Sequence, residues 1–141
     1  MKLNSKTHLV KTDQPDPFND QWLDGCLIAG ATGVAARIGA DLVRINYPKK
    51  ADSESSEILK EAVLATDRTK VVCAVGSSDD VESFLKRLYD QIQVGGAAEN
   101  AAGRNIYQKS LNETIRMCNA VYAIRMEKKN VEEAMKIYNS A

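Results

Sequence analysis

The chain has 141 residues, 44% hydrophobic and 27% charged, with 19 basic and 19 acidic side chains and a formal net charge of zero. That length suits one domain with a real core. The balanced charge, without a clustered basic face, excludes a nucleic-acid footprint; no apolar run nears the ~20 residues of a membrane span, and the polar N-terminus has no signal-peptide core, so the cytoplasm is the expected compartment.

Residues 1–21 have no sustained period, and Pro15, Pro17 and the surrounding Asp and Asn residues make this stretch a polar tail or loop. The lone His8 lies within it and is expected to be solvated. Residues 22–141 form the expected domain. Trp22 and Leu23 open it, and Leu27, Ile28, Ala31, Val34, Ala35 and Ile38 repeat at helical spacing. Gly30 and Gly33 inside that helix predict close packing against a neighbour. Gly39 is suited to stop the helix in the left-handed conformation.

Leu42 to Tyr47 is a strand closed by Pro48. Its side chains alternate, so Val43, Ile45 and Tyr47 share one face and Leu42, Arg44 and Asn46 the other. The first face suits helices above it; the second carries a cation and an amide. Lys49 to Ser56 reads as loop, with Asp52 or Ser53 available to cap the next helix. Ile58, Leu59, Ala62 and Val63 mark that helix, which is expected to end near Asp67.

Lys70 to Val75 is a second strand, apolar enough to be covered on both faces. Ser77 or Ser78 can cap the helix that follows, with aspartates in its first turn. Val81, Phe84, Leu85, Leu88 and Ile92 give the clearest amphipathic pattern in the chain, ended by Gly95 and Gly96. Ala97 to Ala102 is a weaker third strand, and Gly103-Arg104-Asn105 a turn. Ser110 and Glu113 form a capping-box pattern before a helix whose apolar face is read as Leu111, Ile115, Cys118, Val121 and Tyr122. Asn130 and Glu133 repeat the pattern before Val131, Ala134, Met135 and Tyr138. Cys26, Cys73 and Cys118 stand far apart in apolar settings and are expected to be buried thiols, with neither a disulfide nor a zinc site.

Alternating strands and helices predict a parallel α/β architecture, either an open sheet or a piece of a (β/α)8 barrel. In both, strand C-termini share one edge, where ligands bind. One strand ends beyond Arg44 and Asn46, the next in Gly76-Ser77-Ser78, and the third in Gly103-Arg104-Asn105. Glycine allows close backbone approach, amides at a helix start favour an anion, and an arginine fork suits phosphate. A phosphate site shared by the second and third strand ends is the sharper reading; two turns, a cap and a surface ion pair are the plainer one.

Three runs, Gly39-Ala40-Asp41-Leu42-Val43-Arg44, Val75-Gly76-Ser77-Ser78 and Gly103-Arg104-Asn105-Ile106-Tyr107-Gln108, together resemble the DhnA-type class I fructose-bisphosphate aldolases. The likeness runs from about Asp24 to Tyr138 and covers the C-terminal part of that family's barrel, from roughly the sixth strand onward. It implies a partial (half) TIM barrel with C-terminal helices. It also implies phosphate binding by Gly76 and Ser77 after one strand and by Gly103 and Arg104 after the next, with Val75 standing where the family has a glycine pair. The family's Schiff-base lysine falls at Arg44. A guanidinium stays protonated with delocalised lone pairs, so it cannot form an imine. The family's acid–base groups on earlier strands have no counterpart here. The resemblance therefore implies an aldolase-like protein that keeps a sugar-phosphate rim and is inactive alone. The alternative is a non-catalytic phosphometabolite-binding or assembly module. Either way a half barrel leaves edges that invite a homo-oligomer or a chain supplying the missing half. No cofactor and no metal are called for.

Overall fold

In the computed structural model, residues 25–50, 53–75 and 80–140 are described. The polar tail expected at 1–21, with His8, and the opening Trp22 and Leu23 lie outside them. So do Asp52, Gly76, Ser77, Ser78 and Asp79.

The element order is α1 (Gly25–Arg37), β1 (Leu42–Asn46), β2 (Lys49–Lys50), β3 (Ser53–Glu54), α2 (Ser56–Leu64), β4 (Lys70–Ala74), α3 (Val81–Tyr89), a π-helical turn (Asp90–Val94), β5 (Glu99–Ala101), α4 (Gly103–Tyr107), α5 (Leu111–Arg125) and α6 (Val131–Asn139). β1, β4 and β5 make a parallel three-stranded sheet in that order. Arg44, Val72 and Glu99 are aligned across it, as are Asn46, Ala74 and Ala101.

Alternation fixes which residues the helices cover. Val43, Tyr47, Val71 and Cys73 are buried with Leu59 of α2, Ala35 of α1 and Ala97, and Ile45 packs against them. A second cluster joins Val75 to Phe84, Leu85 and Leu88 of α3, Met117, Ala120 and Ile124 of α5 and Ala134 of α6. Burying the Val, Leu, Ile, Met and Phe side chains among these contributes ~1.5–3 kcal/mol each. Thr32 secures the contact of α1 with α2: it is fully buried, and its hydroxyl donates to the Ala62 carbonyl at 3.1 Å.

Helix ends follow local chemistry. Gly39 sits at φ 84°, as a helix stop requires, and Gly96 takes φ 76° after the π-helical turn. Both capping boxes form, Ser110 with Glu113 and Asn130 with Glu133.

Several expectations are corrected. Lys49 to Ser56 contains a short antiparallel hairpin of β2 and β3. The cap of α2 is Ser55, since Ser53 is engaged in β3. That helix ends at Leu64, and Asp67 beyond it adopts φ 51°. The cap of α3 is Asp80, whose carboxylate accepts from the Ser83 amide at 2.8 Å. Gly103-Arg104-Asn105 opens the short helix α4 instead of a plain turn. Gly33 does approach Ala65, but a side chain at Gly30 would meet open space.

Two helices bury a different face from the one the pattern suggests. In α1 the buried residues are Gly25, Ile28, Thr32 and Ala35, while Leu27, Ala31, Val34 and the following Ile38 are exposed. In α5 they are Met117, Ala120, Ala123 and Ile124, while Leu111, Ile115, Cys118 and Tyr122 are exposed. Cys26 and Cys118 are therefore exposed, and Cys73 is the buried thiol.

Candidate functional site

The C-termini of β1, β4 and β5 reach one edge, because Asn46, Ala74 and Ala101 are in register and all pairings are parallel. The Val75 amide donates to the Ala101 carbonyl, which carries the alignment past the last ladder pair. β4 and β5 thus end side by side at this edge. Gly103 and Arg104 stand two and three residues beyond β5, in the first turn of α4, and both are exposed. A side chain on Gly103 would press on the Tyr107 ring at 3.1 Å, so glycine there lets that ring fold back over the turn. Gly76 and Ser77 follow Val75 directly and lie outside the described residues.

Arg44 is exposed and occupies the face opposite the helices. It shares that face with Val72 and Glu99. Glu99 forms an ion pair with Arg125 at the end of α5. Val75 turns away from the rim and is buried among the α3 and α5 side chains, so its Cβ does not crowd the edge.

A strap that no local pattern anticipates supports this edge. Arg87, on α3, donates through Nε to Glu54 of β3 at 2.9 Å and through a terminal nitrogen to the Val75 carbonyl at 2.9 Å. It ties the hairpin after β1 to the end of β4. Gln91, fully buried in the π-helical turn, donates to the Ala74 carbonyl at 3.3 Å. These contacts join residues 12 to 33 positions apart, a separation over which no periodicity speaks.

The electrostatics beneath the edge favour neutral groups. Burial pushes the Cys73 thiol up to about 12, with Glu54 adding to the effect and Arg44 opposing it. Burial raises the Tyr47 phenol, helped by Asp90 and Glu54. The Asp90 carboxyl is also raised by burial, against the pull of Lys86. Among the described residues no group of three or more His, Cys, Asp or Glu side chains is placed to hold a metal, and no helix is long and apolar enough to cross a membrane.

Residues 6–109 match the family model described as DeoC/LacD family aldolase. The fructose-bisphosphate aldolase/6-deoxy-5-ketofructose 1-phosphate synthase of Methanocaldococcus jannaschii is 57% identical over 126 residues, 89% of this chain and 37% of that protein. A fructose-bisphosphate aldolase class 1 of Halobacterium salinarum is 31% identical over 77% of this chain and 38% of its own length. Among solved structures, the fructose-bisphosphate aldolase of Slackia heliotrinireducens superposes with a TM-score of 0.75 at 44% identity, covering 82% of this chain and 37% of that one. An archaeal fructose 1,6-bisphosphate aldolase, at 23% identity and a TM-score of 0.63 over 74% of this chain, supports the fold. The chain thus spans under two fifths of the length of these curated relatives. Its sheet is part of a (β/α)8 barrel. On its fold and on these likenesses, the chain belongs to the DeoC/LacD aldolase family and is homologous to part of a class I fructose-bisphosphate aldolase.

Proposed function

We propose that this chain is the sugar-phosphate-binding part of an aldolase-type barrel and does not form the Schiff base itself. The observation that carries the reading is the shared rim. Parallel, in-register strands end β1, β4 and β5 at one edge, and Gly103 and Arg104 follow β5 there. In this reading Gly76 and Ser77 offer backbone amides to the phosphate, Gly103 contributes backbone with the Tyr107 ring folded over it, and the exposed Arg104 guanidinium supplies forked, charge-assisted donors. Arg44 holds the position of the imine-forming lysine, on the face away from the helices. As a permanent cation it can attract the anionic substrate but cannot attack its carbonyl. Ligands with a phosphate on a three- to six-carbon sugar fit this description, in keeping with the activities named for the relatives.

The test joins two measurements on the full chain. Incubation with dihydroxyacetone phosphate or fructose 1,6-bisphosphate, then borohydride, is expected to add no mass. The same ligands are expected to raise Tm, because a ligand bound by the folded state alone stabilises it, and Arg104→Ala is expected to abolish that rise. A trapped adduct overturns the loss of imine chemistry; a shift unchanged by Arg104→Ala overturns the phosphate assignment. A second reading, a non-catalytic assembly module, is favoured by the cation at position 44 and predicts neither adduct nor shift.

A further inference from the structure

The end of β4 is held by more than its own ladder. Arg87 of α3 donates to Glu54 and to the Val75 carbonyl, each at 2.9 Å. Four positions on, in the π-helical turn, Gln91 donates to the Ala74 carbonyl at 3.3 Å. Residues four apart share a helix face, so one face grips two successive carbonyls of one strand end. The grip is braced on both flanks. Glu54 fixes the guanidinium from the β2–β3 hairpin, and the Gln91 carbonyl accepts from the Ala97 amide at 3.0 Å, just ahead of β5. Val75 is buried, and the Arg87 side chain is 23% exposed. Partial burial shields such a charge-assisted bond from water. Withdrawing a cation from solvent is costly, and the Val75 side chain is packed in the core without it.

We propose that Arg87 is a positioning residue for phosphate binding: through the Val75 carbonyl it orients the Gly76 amide, and strengthens it as a donor to the ligand phosphate. The inference rests on the phosphate reading above, which assigns that amide to the ligand. The Val75 carbonyl and the Gly76 N–H belong to one planar peptide group. Fixing the carbonyl fixes that plane. A cation bonded to the carbonyl oxygen also draws electron density from the peptide nitrogen, and its N–H becomes a stronger donor, as in any chain of hydrogen bonds that polarise one another. Arg87 thus acts on an anion through the backbone. Arginine suits the task because its planar fork holds Glu54 and the carbonyl at once. A lysine ammonium is a point charge on a flexible stem.

Inorganic phosphate and dihydroxyacetone phosphate are titrated into the full chain by calorimetry, well below the Tm of each variant, and the Gly76 amide is followed by NMR. In the wild-type chain that amide is expected to move downfield as ligand binds. Arg87→Met is expected to weaken both ligands about tenfold and to shrink the movement. A role confined to stability would lower Tm, leave the affinity of the folded chain unchanged, and overturn the proposal. Arg87→Lys keeps the charge and loses the fork, so it is expected to bind nearly as weakly as Arg87→Met. Wild-type affinity in Arg87→Lys would assign the effect to net charge and overturn the proposal too. Should either variant fail to fold, the wild-type spectrum decides: ligand bound with no movement of the Gly76 amide sinks the inference. Failure of the underlying reading shows differently. If the wild-type chain binds neither ligand, the phosphate rim falls and this inference with it. If it binds, and Arg104→Ala abolishes binding while Arg87→Met leaves it intact, the rim stands and the inference alone falls.

Discussion

The two faces of the central sheet follow different rules. On the helix-covered face Val43, Tyr47, Val71 and Cys73 are sealed beneath α1 and α2. On the other, Arg44 and Asn46 are exposed, and Val72 and Glu99 are half-buried. The same three strands supply both, one residue apart. The covered face determines whether the chain folds. The other is free of that demand and can hold a cation without a compensating core. Position 44 can therefore accept a change of side chain at little cost in stability.

The largest expected contrast is chemical. At pH 8 the thiolate fraction of Cys73, with its pKa near 12, is roughly a thousandfold below that of an ordinary cysteine, and the thiol is fully buried besides. Cys26 and Cys118 are exposed. Two thiols are expected to react with a thiol reagent at once and the third to wait for unfolding. Three fast thiols would mean that the covered face is open.

Core truncation comes next. Phe84 lies in the second cluster with the α5 and α6 side chains, and Phe84→Ala is expected to cost ~3–5 kcal/mol in denaturant unfolding. Arg44→Leu on the open face is expected to stay within ~0.5 kcal/mol. Comparable losses at the two sites would erase the distinction between the faces.

A steric test sharpens the boundary of the covered side. A Cβ on Gly95 would fall 2.6 Å from a terminal carbon of Leu59 and 3.0 Å from the Gln91 carbonyl. Its φ is −77°, so the backbone conformation itself admits alanine. Gly95→Ala is thus expected to destabilise by overpacking, ~1–3 kcal/mol. The double variant with Leu59→Ala should be less destabilised than the sum of the single changes, because truncation removes the clash.

The strands were legible from sequence because alternation and glycine placement are local. β1 and β4 stand where Leu42 to Tyr47 and Lys70 to Val75 predict them, and even the weak Ala97 to Ala102 run contains β5. The common edge of the strand ends was legible for the same reason, since parallel strands in register end together. The buried face of α5 was not. That helix carries apolar residues on two sides, Leu111 to Tyr122 on one and Met117 to Ile124 on the other, and periodicity cannot say which meets the core. α1 fails alike, with Leu27 and Val34 competing against Ile28 and Ala35. The β2–β3 hairpin was missed because Lys49, Lys50, Ser53 and Glu54 have no strand pattern. The strap through Arg87 was missed because its partners, Glu54 and Val75, are remote in sequence.

The smallest expected effect is electrostatic and lies at the helix starts. The Ser83 amide, followed by the Ser83 hydroxyl, holds the Asp80 carboxyl below the usual carboxylate range. The Ser110 hydroxyl, followed by its amide, does the same for Glu113. A carboxyl whose folded pKa lies below its unfolded one releases its proton more readily when folded. Its stabilising contribution is therefore complete above the unfolded pKa, about 4, and is lost as pH falls through the folded value. Both groups are exposed, so the effect is shared with water and screened by salt. Tm is expected to fall by at most a few degrees on this account as pH drops below about 4. Asp80→Asn keeps an oxygen to accept from the Ser83 amide but cannot titrate. It is expected to flatten part of that acid limb while changing Tm little at pH 7. A variant with an unaltered acid limb would place the titration elsewhere, and one with a large loss at pH 7 would mean that charge at the start of α3 outweighs the cap geometry.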